Sequence, residues 1–472
     1  MRKHLSFRFS AGLLILLAMA VSLTQAQAPA VARKADKPAL TDAGVGALTS
    51  EILREVAAMR GLKILGPVKS GVKSRAEIEK VLIKNINEKT KPGELEAAGV
   101  FLQAFGLAPP DFKYKEFMIQ LLTEQVAGFY DPRTRQFFIA DWNDIAEQKP
   151  VMAHELTHAL QDQHFDLKRF EDWPDGDGDR ELAIHALIEG DASVVMYDYL
   201  LKPMNGSVAR MPGSLGEMSE TMSAMSGGDS VRVLRAAPAA IRESLVFSYF
   251  QGADFAQQVL RKKGYTGLTE VYARLPDSTE QILHYDKYEA NEKPVVVSMA
   301  DVGGLLGAGW KRIDASVNGE FGYAIILGEH MDKKEARKAA AGWGGDQYGL
   351  YEHTDKRWFV THRSVWDSEA EAEEFFKAYE ARTRKRFPGL MERGVTNLML
   401  RFATSRGEVL MERRGAAILI MEGLADEFVA RSGELSDALW RNEEPVVVPL
   451  RSVKPAAKPV KPAPRKRAGN RG

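Results

Sequence analysis

Pro150-Val151-Met152-Ala153-His154-Glu155-Leu156-Thr157-His158-Ala159-Leu160-Gln161 is the stretch whose reading decides the fold. Val151, Met152, Leu156, Ala159 and Leu160 recur at helical spacing and form one apolar stripe, and Pro150 suits a first helical turn. Two histidines four positions apart then project from the same helical face, so both imidazoles reach one ion. Glu155 is offset from them, placed to hold a water rather than the ion. Zinc suits this donor set, because it lowers the pKa of water towards neutrality and the adjacent carboxylate takes the proton as the water attacks a carbonyl. The motif predicts one Zn2+ on His154 and His158, with Glu155 as general base.

A tetrahedral site with one open position needs a third protein ligand. His164 follows His158 by six residues, the spacing of the metzincin pattern, which turns the chain at a glycine. Gln161 holds that position here, and Ala159 to Gln163 reads as continued helix, which would point His164 away. Glu189, in Ala186-Leu187-Ile188-Glu189-Gly190-Asp191-Ala192, lies inside a second predicted helix over about Arg180 to Leu200. A carboxylate from an antiparallel helix completes a His, His, Glu set, and Gly190 beside it admits close approach of another backbone or a substrate. Glu189 is the favoured third ligand and His164 the alternative.

Hydrolysis also needs a donor for the developing oxyanion. Ser278 to Tyr288 clusters suitable groups, with Ser278 as a helix N-cap and His284 or Tyr288 as the donor; His185, one turn before Glu189, is a second candidate. Asp175-Gly-Asp-Gly-Asp179 alternates carboxylates like a calcium loop. Arg180 stands where that loop needs Gly and Ala186 where it needs the bidentate Glu, so an acidic turn is expected.

His154-Glu155-Leu156-Thr157-His158-Ala159-Leu160-Gln161 with a downstream Glu189-Gly190-x-Ala192 resembles the gluzincin metallopeptidases, whose third ligand is a helical glutamate. Glu124-Gln125-Val126-Ala127-Gly128-Phe129-Tyr130-Asp131-Pro132 and Gln163-His164-Phe165-Asp166-Leu167 are similar to exported, largely uncharacterised bacterial members. The resemblance covers residues 115–200 and implies a zincin-like core acting on a peptide or protein substrate. It departs in spacing, since thirty residues separate His158 from Glu189. An envelope-binding protein without catalysis and a zinc amidohydrolase of a non-peptide substrate are the alternatives; an intact Glu155 favours an enzyme.

The rest of the chain sets the context. Arg2, Lys3 and Arg8 precede an apolar core over Ala11 to Leu23 and a small-residue zone at Ala26, which reads as a cleaved signal peptide over residues 1–26. A periplasmic or secreted protein follows. It has no cysteine, which excludes disulfides, thiolate ligands and a lipid-modified cysteine. Sixty-four Lys and Arg balance 64 Asp and Glu, so net charge offers no case for nucleic acid. Residues 449–472 are basic and rich in Pro, Ala and Lys, a disordered tail able to touch anionic envelope material.

The fold expected is α+β. Residues 27–42 read as a linker and 43–299 as the metallopeptidase-like domain, with 43–110 able to cover the cleft. Within it, helices are expected near Gly46 to Arg60, Ser74 to Asn87, Glu94 to Phe105 and Phe117 to Gln125, and a strand near Leu62 to Val68. Val126 to Asp141 reads as a β-hairpin turning at Asp131-Pro-Arg-Thr, with Phe137-Phe138-Ile139 as an edge for an extended peptide. Residues 202–236, holding Met204, Met211, Met218, Met222 and Met225, read as a mobile cover. Residues 300–448 form an α+β lobe: a helix through Lys338, strand pairs over Gly349 to Trp366 and Asn397 to Ile420, and helices from Glu369 and Leu424. Gly342-Trp-Gly-Gly-Asp346 reads as a tight turn.

Overall fold

The structure is a computed structural model that describes residues 42–125, 128–142, 145–171, 176–225 and 232–441. The expected signal peptide, nearly all of the linker, the basic tail and Asp175 lie outside the described residues. The fold is α+β. Its first part runs α1 (Asp42–Arg60), β1 (Lys69–Lys73), α2 (Arg75–Lys89), α3 (Glu94–Ala104), α4 (Tyr114–Gln125), β2 (Gly128–Asp131), β3 (Gln136–Ala140) and α5 (Ile145–Phe165). It continues through α6 (Lys168–Glu171), α7 (Gly178–Leu201), α8 (Leu215–Met225), α9 (Arg232–Ala236), α10 (Ala239–Val271), α11 (Thr279–Leu283) and α12 (Tyr285–Ala290). The second part is α13 (Gly303–Leu306), β4 (Trp310–Ser316), α14 (Gly319–Gly328), α15 (Lys333–Ala340), β5 (Trp343–His353), β6 (Trp358–Trp366) and α16 (Glu369–Arg386). Four strands follow, β7 (Met391–Val395), β8 (Met399–Thr404), β9 (Gly407–Arg414) and β10 (Ala417–Leu424), then α17 (Asp426–Val429) and α18 (Ser432–Trp440). No helix among the described residues is long and apolar enough to cross a membrane.

Helix pairing dominates the first part. The helix carrying the HExxH motif, α5, packs against α1 and α7, and α7 packs along α10. Gly190 and Gly252 make the second contact a backbone one: a Cβ on Gly190 would stand 2.0 Å from the Gly252 carbonyl oxygen, and one on Gly252 would stand 2.1 Å from that of Ala186. The small sheet has the order β1-β3-β2, with β1 parallel and β2 antiparallel to β3. Phe137-Phe138-Ile139 is therefore the central strand, and the edge beside α5 is β2, a correction to the expected edge. β1 also begins seven residues later than the strand expected from Leu62. The intervening backbone is claimed by a side chain instead: Gln163 Oε1 accepts from Leu65 N at 2.7 Å and Gly66 N at 3.3 Å.

The second part is an antiparallel sheet ordered β4-β5-β6-β10-β9-β8-β7. β10 shows why it is buried on both sides: Ile418 and Ile420 face a core shared with α14, α15, α16 and α3, while Leu419 and Met421 face one shared with α13 and α18. Two further expectations fail there. Trp310 to Ser316, expected as helix, is a strand because β5 offers it an open edge. Gly342 to Asp346 is no tight turn; Trp343 opens β5, and Gly345, at φ 157°, sits in a bulge where a Cβ would meet the Val295 carbonyl oxygen.

The Met-rich segment is held rather than loose over its described part. Leu215 N donates to Gln257 at 3.0 Å and Gly216 N to Asp254 at 2.8 Å, fixing α8 on α10. Pro150 lies inside α5 rather than in its first turn. Among the contacts that join the parts, two are made at helix ends. Arg382 and Arg386 both pair with buried Glu422 at 2.6 Å and donate to the final carbonyls of α3, and Gly178 N at the start of α7 donates to Ser316 at 2.9 Å.

Candidate metal centre

Helix α5 continues unbroken through His164, so His154 and His158 share one face and His164 leaves it. Helix α7 packs against α5 and brings Glu189 opposite. His154 Nε2 lies 3.0 Å from His158 Nε2 and 3.1 Å from Glu189 Oε2, and His158 Nε2 lies 3.6 Å from the same oxygen. All three side chains are buried, and their ligand atoms converge within 4.8 Å of one another, a group that could hold a metal ion. His164 Nε2 is instead 2.7 Å from the Lys63 carbonyl oxygen.

Burial is the largest influence on Glu189 and opposes its charge, but His158 and His154 outweigh it and hold the carboxyl down at about 2. Burial likewise dominates at His154 and leaves its imidazole below the ordinary value. At His158 burial is again the largest influence, yet Glu189 and then Glu155 reverse it and the imidazole ends raised. Before any ion binds, the centre is therefore a carboxylate facing imidazoles of unequal basicity.

Glu155 is fully buried and its Oε2 accepts from Tyr130 N at 2.7 Å. The edge strand β2 thus fixes the carboxylate next to the imidazole pair. Tyr130 is pinned in turn through its hydroxyl, which donates to Asp162 at 2.9 Å, and Asp162 accepts from Leu167 N at 3.1 Å. On the other side, Tyr249 of α10 stacks on His154 with ring centroids 6.0 Å apart. His185 is buried one turn before Glu189 on α7.

His284 and Tyr288 are committed elsewhere. His284 Nε2 lies 2.9 Å from Glu320, and the Tyr288 hydroxyl donates to the Arg274 carbonyl at 2.7 Å. Helix α11, which ends just before His284, meets α7 at its start, where Thr279 N donates to Asp179; ten residues of helix, ~15 Å, separate that point from Glu189. Ser278 is the expected N-cap, and Asp177 caps α7 through Arg180 N, so the described acidic turn does helix-capping work. The sequence reading missed Tyr130, Gln161, Tyr249 and the Arg60–Asp191 pair. Tyr249 precedes Gly252 by one turn on an apolar helix, the one local signal that marks it as near another helix.

Residues 308–432, from the start of the large sheet to the start of α18, match a domain of unknown function, DUF8575. No curated protein and no solved structure matches the chain.

Proposed function

We propose that this protein is an exported zinc-dependent hydrolase of peptide bonds, with His154, His158 and Glu189 as ligands and Glu155 as general base. The observation that carries the reading is the convergence of two Nε2 atoms and one carboxylate oxygen at 3.0, 3.1 and 3.6 Å beside a buried glutamate. Zinc with N and O ligands at about 2.0–2.2 Å in a tetrahedron sets its donors ~3.3 Å apart, so this group fits it closely. A zincin-like core of the gluzincin kind accounts for the motif, the helical Glu189 and the strand beside α5.

Zinc bound there supplies a Lewis acid that brings the pKa of water towards neutrality. Glu155 accepts the proton at its carboxylate and passes it to the leaving amine, as a positioned base near neutral pH does. Tyr130 N keeps that carboxylate aligned along β2, the sheet edge against which an extended peptide lies in this reading. Tyr249 and His185 replace His284 and Tyr288 as donors to the oxyanion, because they flank His154 and Glu189. The N-terminal sequence supports export, and the basic tail supplies contact with anionic envelope material.

Glu155→Gln is the test. It should keep close to one zinc per chain by metal analysis and lose about 100- to 10,000-fold in chelator-sensitive cleavage of unfolded casein. Cleavage by the variant at the wild-type rate would end the proposal, as would wild-type protein that takes up no zinc.

A further inference from the structure

Behind His158 runs a line of buried polar side chains whose hydrogen bonds leave no choice of direction. Arg60, the last residue of α1, pairs with Asp191 through Nε at 2.7 Å and Nη2 at 3.2 Å, both side chains fully buried. Arg60 also donates to the Tyr265 carbonyl and Thr269, and Tyr272 donates its hydroxyl to Asp191 at 3.1 Å. Asp191 is thereby an acceptor only. Gln161 Nε2 lies 3.0 Å from Asp191 Oδ2 and 3.1 Å from the Ile188 carbonyl oxygen. Two acceptors face that atom, so it must be the amide nitrogen, with its two N–H groups. Gln161 Oε1 is then the atom 2.8 Å from His158 Nδ1, and an amide oxygen can only accept. His158 must carry a proton on Nδ1, so that in the neutral imidazole the Nε2 lone pair faces His154 and Glu189.

We infer that Gln161 is a positioning residue that holds His158 in the Nδ1–H tautomer, and that Asp191 and Arg60 hold Gln161. The inference rests on the reading of His154, His158 and Glu189 as a metal centre. An amide from the same helix turn does the orienting here, and the charge stands one residue further back. The orientation of a ligand on α5 depends through this line on α1, so residues 42–60 belong to the site and are not a removable cover over it. Gln161 lies at the position where the metzincin pattern has its turning glycine, and its side chain does work that only a continued helix permits.

Gln161→Met keeps the side chain's length and removes both the acceptor and the donors. Its zinc dissociation constant, measured by chelator competition, should rise about 10- to 100-fold with circular dichroism unchanged. Gln163→Met, which alters an amide clamped on the Leu65–Gly66 backbone instead, should bind zinc as the wild type does. The second measurement needs no variant: long-range 1H–15N spectra of metal-free wild type, with His158 identified by substitution and at a pH high enough for a neutral imidazole, should show Nδ1 protonated and Nε2 bare. Equal zinc affinity in Gln161→Met and wild type would overturn the inference, and so would an Nε2–H tautomer. If the wild type binds no zinc, the proposed activity falls, and the tautomer still upholds or overturns the role of Gln161.

Discussion

The His154, His158 and Glu189 group and the Glu280, Glu292 and Asp367 group both bring three ligand atoms within 4.8 Å, yet they differ in what stands among them. Lys287 fills the second: its ammonium lies 2.7 Å from Glu280, 2.9 Å from Glu292 and 2.6 Å from Asp367. That group holds its cation covalently, on its own chain, and sits half open to water. At the first, a carboxylate oxygen faces two imidazole nitrogens in a buried site, a group that could hold a metal ion. A cluster of acceptors points to a metal only where no side chain already supplies the positive charge.

The largest effect should come from removing an acceptor at each place. Glu189→Ala should lower zinc affinity by several orders of magnitude, because one of three ligands and the only negative one disappears. Asp367→Asn should leave metal content after dialysis unchanged. Stoichiometric zinc in Glu189→Ala, or zinc lost from Asp367→Asn, would dissolve the contrast.

Gly190→Ala sharpens it by moving the helix under the ligand. The added Cβ would stand 2.0 Å from a backbone oxygen of α10, which no side-chain adjustment relieves. Destabilisation at the upper end of about 1–3 kcal/mol, or beyond it, should appear in denaturant titrations. Zinc affinity should fall with it, and an unchanged melting temperature would mean the two helices do not meet as described.

The Lys287 cluster predicts a pH dependence of its own. Burial raises the Glu280 carboxyl to about 7 from 4.5, with Lys287 opposing and Glu320 and Asp367 assisting. Between those values the folded protein binds the proton more tightly than the unfolded chain. Folded stability should therefore fall as pH rises from about 4.5 to 7, by on the order of 2 kcal/mol from this group. Glu280→Gln should flatten that part of the stability profile, and a variant with the wild-type slope would exclude Glu280 as its source.

His164→Ala should do least. It removes one hydrogen bond to the Lys63 carbonyl, a net loss of about 1 kcal/mol, and leaves zinc content near one per chain. Loss of zinc from this variant would return the third ligand to the metzincin-like alternative.

The sequence by itself determined what is periodic and local. Two histidines four apart on an apolar stripe face one way in any α-helix, so the partnership of His154 and His158 follows from helical geometry alone. Glu189 was legible for a related reason: a carboxylate among buried alanines, leucine and isoleucine needs a partner, and the glycine after it announces a close neighbour. The helix ends at Ser278, the hairpin turn after Asp131 and the α+β alternation are equally local. Tertiary structure alone decided which neighbours fill the remaining contacts. Tyr130 reaches Glu155 through a backbone N–H, which no residue type encodes, and Arg60 meets Asp191 across 131 positions of chain. Trp310 to Ser316 became a strand because β5 had an edge to fill, and Phe137 to Ile139 lost its edge because β1 arrived from 67 residues earlier. Helical faces are set by bonds within a few residues; sheet order and buried charge pairs are set by which distant segments the core brings together, and that information is spread over the whole chain.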